Sequence, residues 1–108
     1  LRQSEIPSKF IGGVGVKCKR YFFVFTPKRN RVGTVYFEDD MVKYLEAVVD
    51  VKANKLTWFH SEWWELNRET LQLTVDTINI YACSVFSQSE VHRMAQDALK
   101  AKLDKNKL

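Results

Sequence analysis

Lys17-Cys18-Lys19-Arg20-Tyr21-Phe22-Phe23-Val24-Phe25-Thr26 is the stretch whose reading decides the fold. Side chains alternate across a strand, so Lys19, Tyr21, Phe23 and Phe25 share one face and Arg20, Phe22, Val24 and Thr26 the other. Pro27-Lys28-Arg29-Asn30-Arg31 follows as a polar turn. Pro27 has no amide proton to offer a ladder, and Asn30 tolerates the left-handed region. From Val32 to Glu38 the extended pattern resumes, with Val35 and Phe37 on one side. Two strands joined by a short turn predict a hairpin.

Upstream, residues 1–8 carry Pro7 and no periodicity, and are expected to form a loosely ordered arm. Phe10 to Val16 is apolar but broken by Gly12, Gly13 and Gly15, as in a short strand that ends in a flexible turn. Leu1 in the place of a methionine is expected to mark a piece of a longer chain, with any targeting or lipidation motif further upstream.

Downstream, Asp39 to Ala53 fits two templates. Met41, Tyr44, Leu45, Val48 and Val49 suit one helical face, whereas Leu45, Ala47, Val49 and Val51 alternate. The β-branched Val48, Val49 and Val51 favour a strand from about Lys43 to Lys52. Leu56–Phe59 and Trp63–Leu66 read as extended segments interrupted at His60-Ser61-Glu62, and Asn67–Thr70 as a turn. The apolar phase then flips between Leu71, Leu73, Val75 and Ile78, Ile80, which places a bulge or corner at Asp76-Thr77. Ser87 and Glu90 form a capping box. Val91, Met94, Ala95, Ala98, Leu99 and Leu103 after it make one helical stripe, with lysines toward the end. That amphipathic helix must cover an apolar sheet face.

The chain has 108 residues, which fits one domain. Its 45% hydrophobic content supplies a core that needs no metal or disulfide. No apolar run approaches the ~18–20 residues of a membrane span, so a soluble chain is expected. Cys18 and Cys83 both fall in apolar stretches and are expected as buried free thiols, in a reducing compartment. A net charge of +4 favours acidic partners: phospholipid headgroups, nucleic acid or an acidic protein face.

No catalytic constellation is expected. His60, Ser61 and Glu62 are adjacent, but strand neighbours point apart and a triad must converge. His60, His92, Cys18 and Cys83 lack metal-ligand spacing. Gly12-Gly13-Val14-Gly15 lacks the lysine and hydroxyl of a phosphate-cradling loop. The chain therefore reads as a non-enzyme with no cofactor. Trp58, Phe59, Trp63 and Trp64 form a dense aromatic cluster that reads first as core. Adjacent Trp63 and Trp64 must face opposite sides of a strand, so one is expected partly exposed, and the two stand as candidate partner contacts, with base stacking as a further alternative.

Lys19-Arg20-Tyr21-Phe22-Phe23-Val24-Phe25-Thr26, followed by Val35-Tyr36-Phe37-Glu38-Asp39-Asp40, resembles the second and third strands of the pleckstrin-homology family. Ile80-Tyr81-Ala82 through Ser89-Glu90 to Ala98-Leu99 is similar to that family's last strand, acidic helix start and closing Ala-Leu. The resemblance implies an α+β fold. Its antiparallel β-sheet, a partly open barrel of about six to seven strands, would be closed by one C-terminal amphipathic helix across residues 9–108. It also implies that Lys17, Lys19 and Arg20, with Lys28, Arg29 and Arg31 on a neighbouring turn, meet an anionic headgroup or phosphate, a chemistry that Arg forks and Lys charges suit.

The expected function is a non-catalytic recognition module that docks its parent on a partner protein or an anionic membrane surface. A single-stranded nucleic-acid binder and a structural subunit of an assembly are the alternatives. A protein is the first expected partner, then phospholipid or nucleic acid, with no metal. The expected location is intracellular, peripheral at a membrane through the upstream chain.

Overall fold

A computed structural model describes residues 5–105. The strands are β1 (Val14–Cys18), β2 (Tyr21–Phe25), β3 (Arg31–Glu38), β4 (Met41–Val48), β5 (Asp50–Lys52), β6 (Lys55–His60), β7 (Glu62–Asn67), β8 (Gln72–Val75) and β9 (Asn79–Ser87), and helix α1 (Gln88–Asp104) follows. All pair antiparallel in the order β4-β3-β2-β1-β9-β8-β7-β6-β5. The two edges, β4 and β5, are separated in sequence by Val49 alone. Val49 is buried, and its N–H donates to the Asn30 carbonyl at 3.1 Å. The chain bends there from one half of the sheet to the other, so the sheet nearly closes on itself and leaves little free edge.

The sheet has nine strands, where about six to seven were expected. The segment expected as one strand near Lys43–Lys52 is broken at Val49, and the helical alternative for it is absent. The expected corner at Asp76-Thr77 is a full hairpin turn in which both residues have positive φ (52° and 62°). The ten-residue strand read from Lys17 to Thr26 is also a hairpin: Cys18 pairs with Tyr21, and Lys19 (φ 57°) and Arg20 turn between them. The expected strand from Phe10 begins only at Val14, after a 3-10 turn at Ser8–Phe10 that buries Phe10. Residues 1–4 of the expected arm lie outside the described residues, and Ile6 packs against the core.

The alternation in β2 holds, and each face meets a different core. Phe23 and Phe25 point into the barrel with Val16, Trp58, Trp64, Leu66 and Leu73. Phe22 and Val24 point outward, where Val91, Ala95 and Leu99 of α1 cover them together with Phe10 and Val42. The helix starts at the expected capping box: the Ser87 hydroxyl accepts the Glu90 N–H, and the Glu90 carboxylate accepts the Ser87 N–H. It then lies close on β1 because Gly15 has no Cβ, which would fall 2.4 Å from Val91 Cγ2.

The cysteines are not free thiols. Cys18 and Cys83 are direct cross-strand partners on β1 and β9, with Cα atoms 4.2 Å apart, and they form a disulfide. Their separation of 65 residues hid this adjacency, because nothing local shows that the first and last strands pair. The free-thiol premise of a reducing compartment falls with it.

Candidate functional site

The outward face of the sheet divides into two regions. Over β1, β2 and β4 lies α1. The helix reaches β9 only at its Phe86 end. Over β6 to β8 and the start of β9 no described element lies, and that face carries Phe59, Trp63 and Ile80, which are 55%, 60% and 62% exposed. Cross-strand pairing puts these side chains on one surface: Phe59 opposes Trp63, Glu65 opposes Thr74, and Thr74 opposes Ile80. The Phe59 and Trp63 rings are 5.1 Å apart. Ile78, also exposed, stands at the β8–β9 turn beside them.

Trp63 is fixed from behind. Its N–H donates to the Asp76 carboxylate at 2.9 Å, and its carbonyl accepts the Asp76 N–H at 2.9 Å. These reciprocal bonds tie the tryptophan's backbone to the β8–β9 turn, so the indole is presented from an ordered support. A shallow hollow lined by Thr57, Glu65, Thr74 and Thr77 adjoins it.

Trp64, expected with Trp63 as a partner contact, is in the core. It lies parallel to Trp58 at 6.4 Å, and its indole N–H donates to the His60 carbonyl at 3.2 Å. Strand alternation sends neighbours to opposite faces, so the pair divides into one anchor and one core residue.

The basic residues do not form one cluster. Lys17, Lys19 and Arg20 sit at the end of the barrel that holds the β1–β2 turn. Lys17 Nζ is 5.9 Å from the Phe22 ring, and Lys19 Nζ is 5.6 Å from the Tyr81 ring. The Arg20 guanidinium is 5.0 Å from the Tyr21 ring and donates to its hydroxyl at 3.0 Å. Lys19 and Arg20 thus flank an edge-on Tyr21–Tyr81 pair, centroids 5.5 Å apart, whereas Lys17 lies on the outward face beside Phe22. Lys28, Arg29 and Arg31 belong to the β2–β3 turn and the start of β3, with the length of β2 between them and Arg20. A single headgroup cannot span both groups. Arg29 instead shares its end of the barrel with Arg68 of the β7–β8 turn. Sequence reading passed over Arg68, because nothing in the spacing of 29 and 68 links two turns from opposite halves of the chain.

His60, Ser61 and Glu62 form the β6–β7 turn, with Ser61 at φ 61°. His92, on the buried face of α1, shares a 2.6 Å hydrogen bond between Nδ1 and the Tyr44 hydroxyl of β4. Burial pushes the Tyr44 phenol well above its usual pKa. Among the described residues no group of three or more His, Cys, Asp or Glu could hold a metal ion. Nor is any described helix long and apolar enough to cross a membrane. No protein-family model matches this chain, and neither a curated protein nor a solved structure matches it.

Proposed function

We propose that this chain is a non-catalytic recognition module of pleckstrin-homology-like type that docks its parent on a partner protein. The nearly closed antiparallel barrel with its C-terminal helix is compatible with that family's architecture. The observation that carries the docking reading is the exposed Phe59–Trp63 pair on the sheet face that no helix covers. Large aromatics held rigidly at a surface are the residues that concentrate binding energy in protein interfaces, because they bury much area at little cost in side-chain entropy. Fixing Trp63 through Asp76 reduces that cost further.

A second reading is anionic-membrane docking through Lys17, Lys19 and Arg20. It is favoured by their common position at one end of the barrel.

Two variants separate these readings. Phe59→Ser/Trp63→Ser removes the aromatic face, and Lys17→Glu/Lys19→Glu/Arg20→Glu reverses the charge of the β1–β2 end. Capture experiments with the parent protein, followed by titration of each purified partner, should give saturable binding. The aromatic variant should lose about 2 kcal/mol or more of it, as hot-spot truncations do, and the charge variant should retain it. Flotation with phosphoinositide-containing but not neutral liposomes, abolished only by the charge variant, would replace protein docking with headgroup recognition. Self-association of the chain, lost in the aromatic variant, would make the partner a second copy.

A further inference from the structure

The barrel end that carries the β2–β3 and β7–β8 turns contains an apolar cavity of about 170 Å³. Val16, Phe25, Leu56, Leu66, Leu71 and Val85 line it, and Arg29 and Arg68 stand at its rim. Val85 shows why the interior is accessible here. It lies opposite Val16 on the neighbouring strand and so faces inward, yet it is 52% exposed where Val16 is 2% exposed. The ladder between β8 and β9 ends at Gln72–Ala82, and beyond it only the Cys83 N–H still reaches across, to the Leu71 carbonyl. From Ser84 to Ser87 the ladder partner of β9 is β1. The wall is therefore open beside Val85.

Both arginines at the opening have anchored backbones. The Arg29 N–H donates to the Thr26 carbonyl at 2.8 Å, and the Arg68 N–H to the Asn54 carbonyl at 2.7 Å. The Arg68 guanidinium also donates to the Ala53 carbonyl. Arg29 and Arg68 continue into an adjoining polar hollow, whose one carboxylate is Glu69. Two guanidiniums against one carboxylate leave the rim cationic directly above an apolar hole. A dry apolar cavity of about 150 Å³ accommodates benzene, so this one has room for an apolar body of about six carbons.

We infer that this mouth binds a small free monocarboxylate. Its apolar body of about six carbons enters between Phe25, Leu66 and Val85, and its carboxylate meets Arg29 and Arg68. Guanidinium forks match carboxylate geometry, and an apolar cavity under a charged rim selects ligands that carry both parts. The site is at the opposite end of the barrel from Lys19 and Arg20 and does not involve Trp63, so it stands independently of the docking reading.

The test is a chemical-shift titration of the ¹⁵N-labelled protein with hexanoate, with hexanol and acetate as separate arms. Hexanoate should saturate with a Kd on the order of 1 mM, a reasonable range for so small a ligand, and shift amides around the cavity. Hexanol and acetate should each bind about tenfold more weakly or worse. Arg29→Gln/Arg68→Gln should weaken hexanoate about tenfold and leave hexanol unchanged. Val85→Phe places a ring in the mouth from a half-exposed position and should abolish hexanoate binding, with the dispersed spectrum of the folded protein retained. No saturation of the folded protein by about 20 mM would overturn the inference, as would equal binding of hexanol, or hexanoate binding that survives Val85→Phe.

Discussion

The outer faces of β1–β4 and of β6–β9 are made of similar material and end differently. Phe22, Val24 and Val42 on the first are 7%, 0% and 2% exposed, because α1 lays Val91, Ala95 and Leu99 over them. Phe59, Trp63 and Ile80 on the second stay more than half exposed. Fully burying one such side chain is worth about 1.5–3 kcal/mol. On the covered face that stabilisation belongs to folding. On the bare face it is realised only when something else covers it. The helix thus divides the outer surface of one barrel into a sealed half and a bare half, while both halves contribute to the core inside.

The largest way to disturb this division is to cut the tie between the halves. Cys18 lies on the strand that α1 packs against and Cys83 on the first strand of the bare face, so their disulfide crosses the seam. A cross-link closing 65 residues restricts the unfolded chain heavily. Cys18→Ala/Cys83→Ala should therefore lower unfolding stability by about 2–5 kcal/mol. Urea denaturation of the variant, and of wild type with and without dithiothreitol, measures this. Coincident midpoints in all three would mean that the β1–β9 ladder, the shared core and the Val49 bend hold the halves together without the cross-link.

A matched pair of truncations tests the comparison itself. Leu99→Ala under the helix should cost about 2–5 kcal/mol, since it removes a buried side chain from a packed site. Trp63→Ala deletes a larger side chain, yet it should change stability by no more than about 0.5 kcal/mol, because its indole is mostly in water already. Its effect should appear in partner binding instead. Equal destabilisation by the two would show that the bare face is a structural surface, and the docking reading would lose its support.

The sequence revealed those parts of the fold that depend on side-chain periodicity. The alternation in Tyr21–Phe25, the helical stripe from Val91 to Leu103 and the Ser87–Glu90 box all appear where they were expected. The turns and breaks expected at residues 27–31, 60–62, 67–70 and 76–77 fall between strands as read, but the turn at Lys19-Arg20 was missed, for a physical reason. Hairpin turns favour glycine or asparagine at positive φ, but here Lys19, Arg29, Asp39, Ala53, Ser61, Leu71, Asp76 and Thr77 take that role. Glycine goes elsewhere: Gly15 lets the helix approach β1, and Gly33 lies against the Phe10 ring. A turn made of Lys19 and Arg20 carries no glycine signal, so one long strand was read where a hairpin stands. Long-range features were hidden for another reason. The β1–β9 pairing produces the disulfide and helps close the barrel, and that closure brings Arg29 near Arg68. No local pattern encodes a contact between strands so far apart in sequence.

A further predicted effect concerns how the covered face is sealed. Tyr44 and His92 stack with ring centroids 5.7 Å apart and share their 2.6 Å hydrogen bond between β4 and α1, a polar contact beside the apolar side chains there. Burial raises the Tyr44 phenol pKa in the folded state above its unfolded value of about 10. The folded state therefore holds this proton more tightly than the unfolded chain does. The resulting stabilisation is fully present below about pH 10 and is lost as the pH rises toward the folded pKa. Tyr44→Phe should cost about 0.5–1.5 kcal/mol near neutral pH, through the lost hydrogen bond, and should flatten the alkaline decline from pH 10 upward. Thermal melts of both proteins across pH 7–11 would show it as two curves that converge on the alkaline side. Trp63→Ala should leave the shape of that curve unchanged, because the bare face holds no such proton. Curves for wild type and Tyr44→Phe that stay parallel throughout would place the alkaline sensitivity outside the helix–sheet interface.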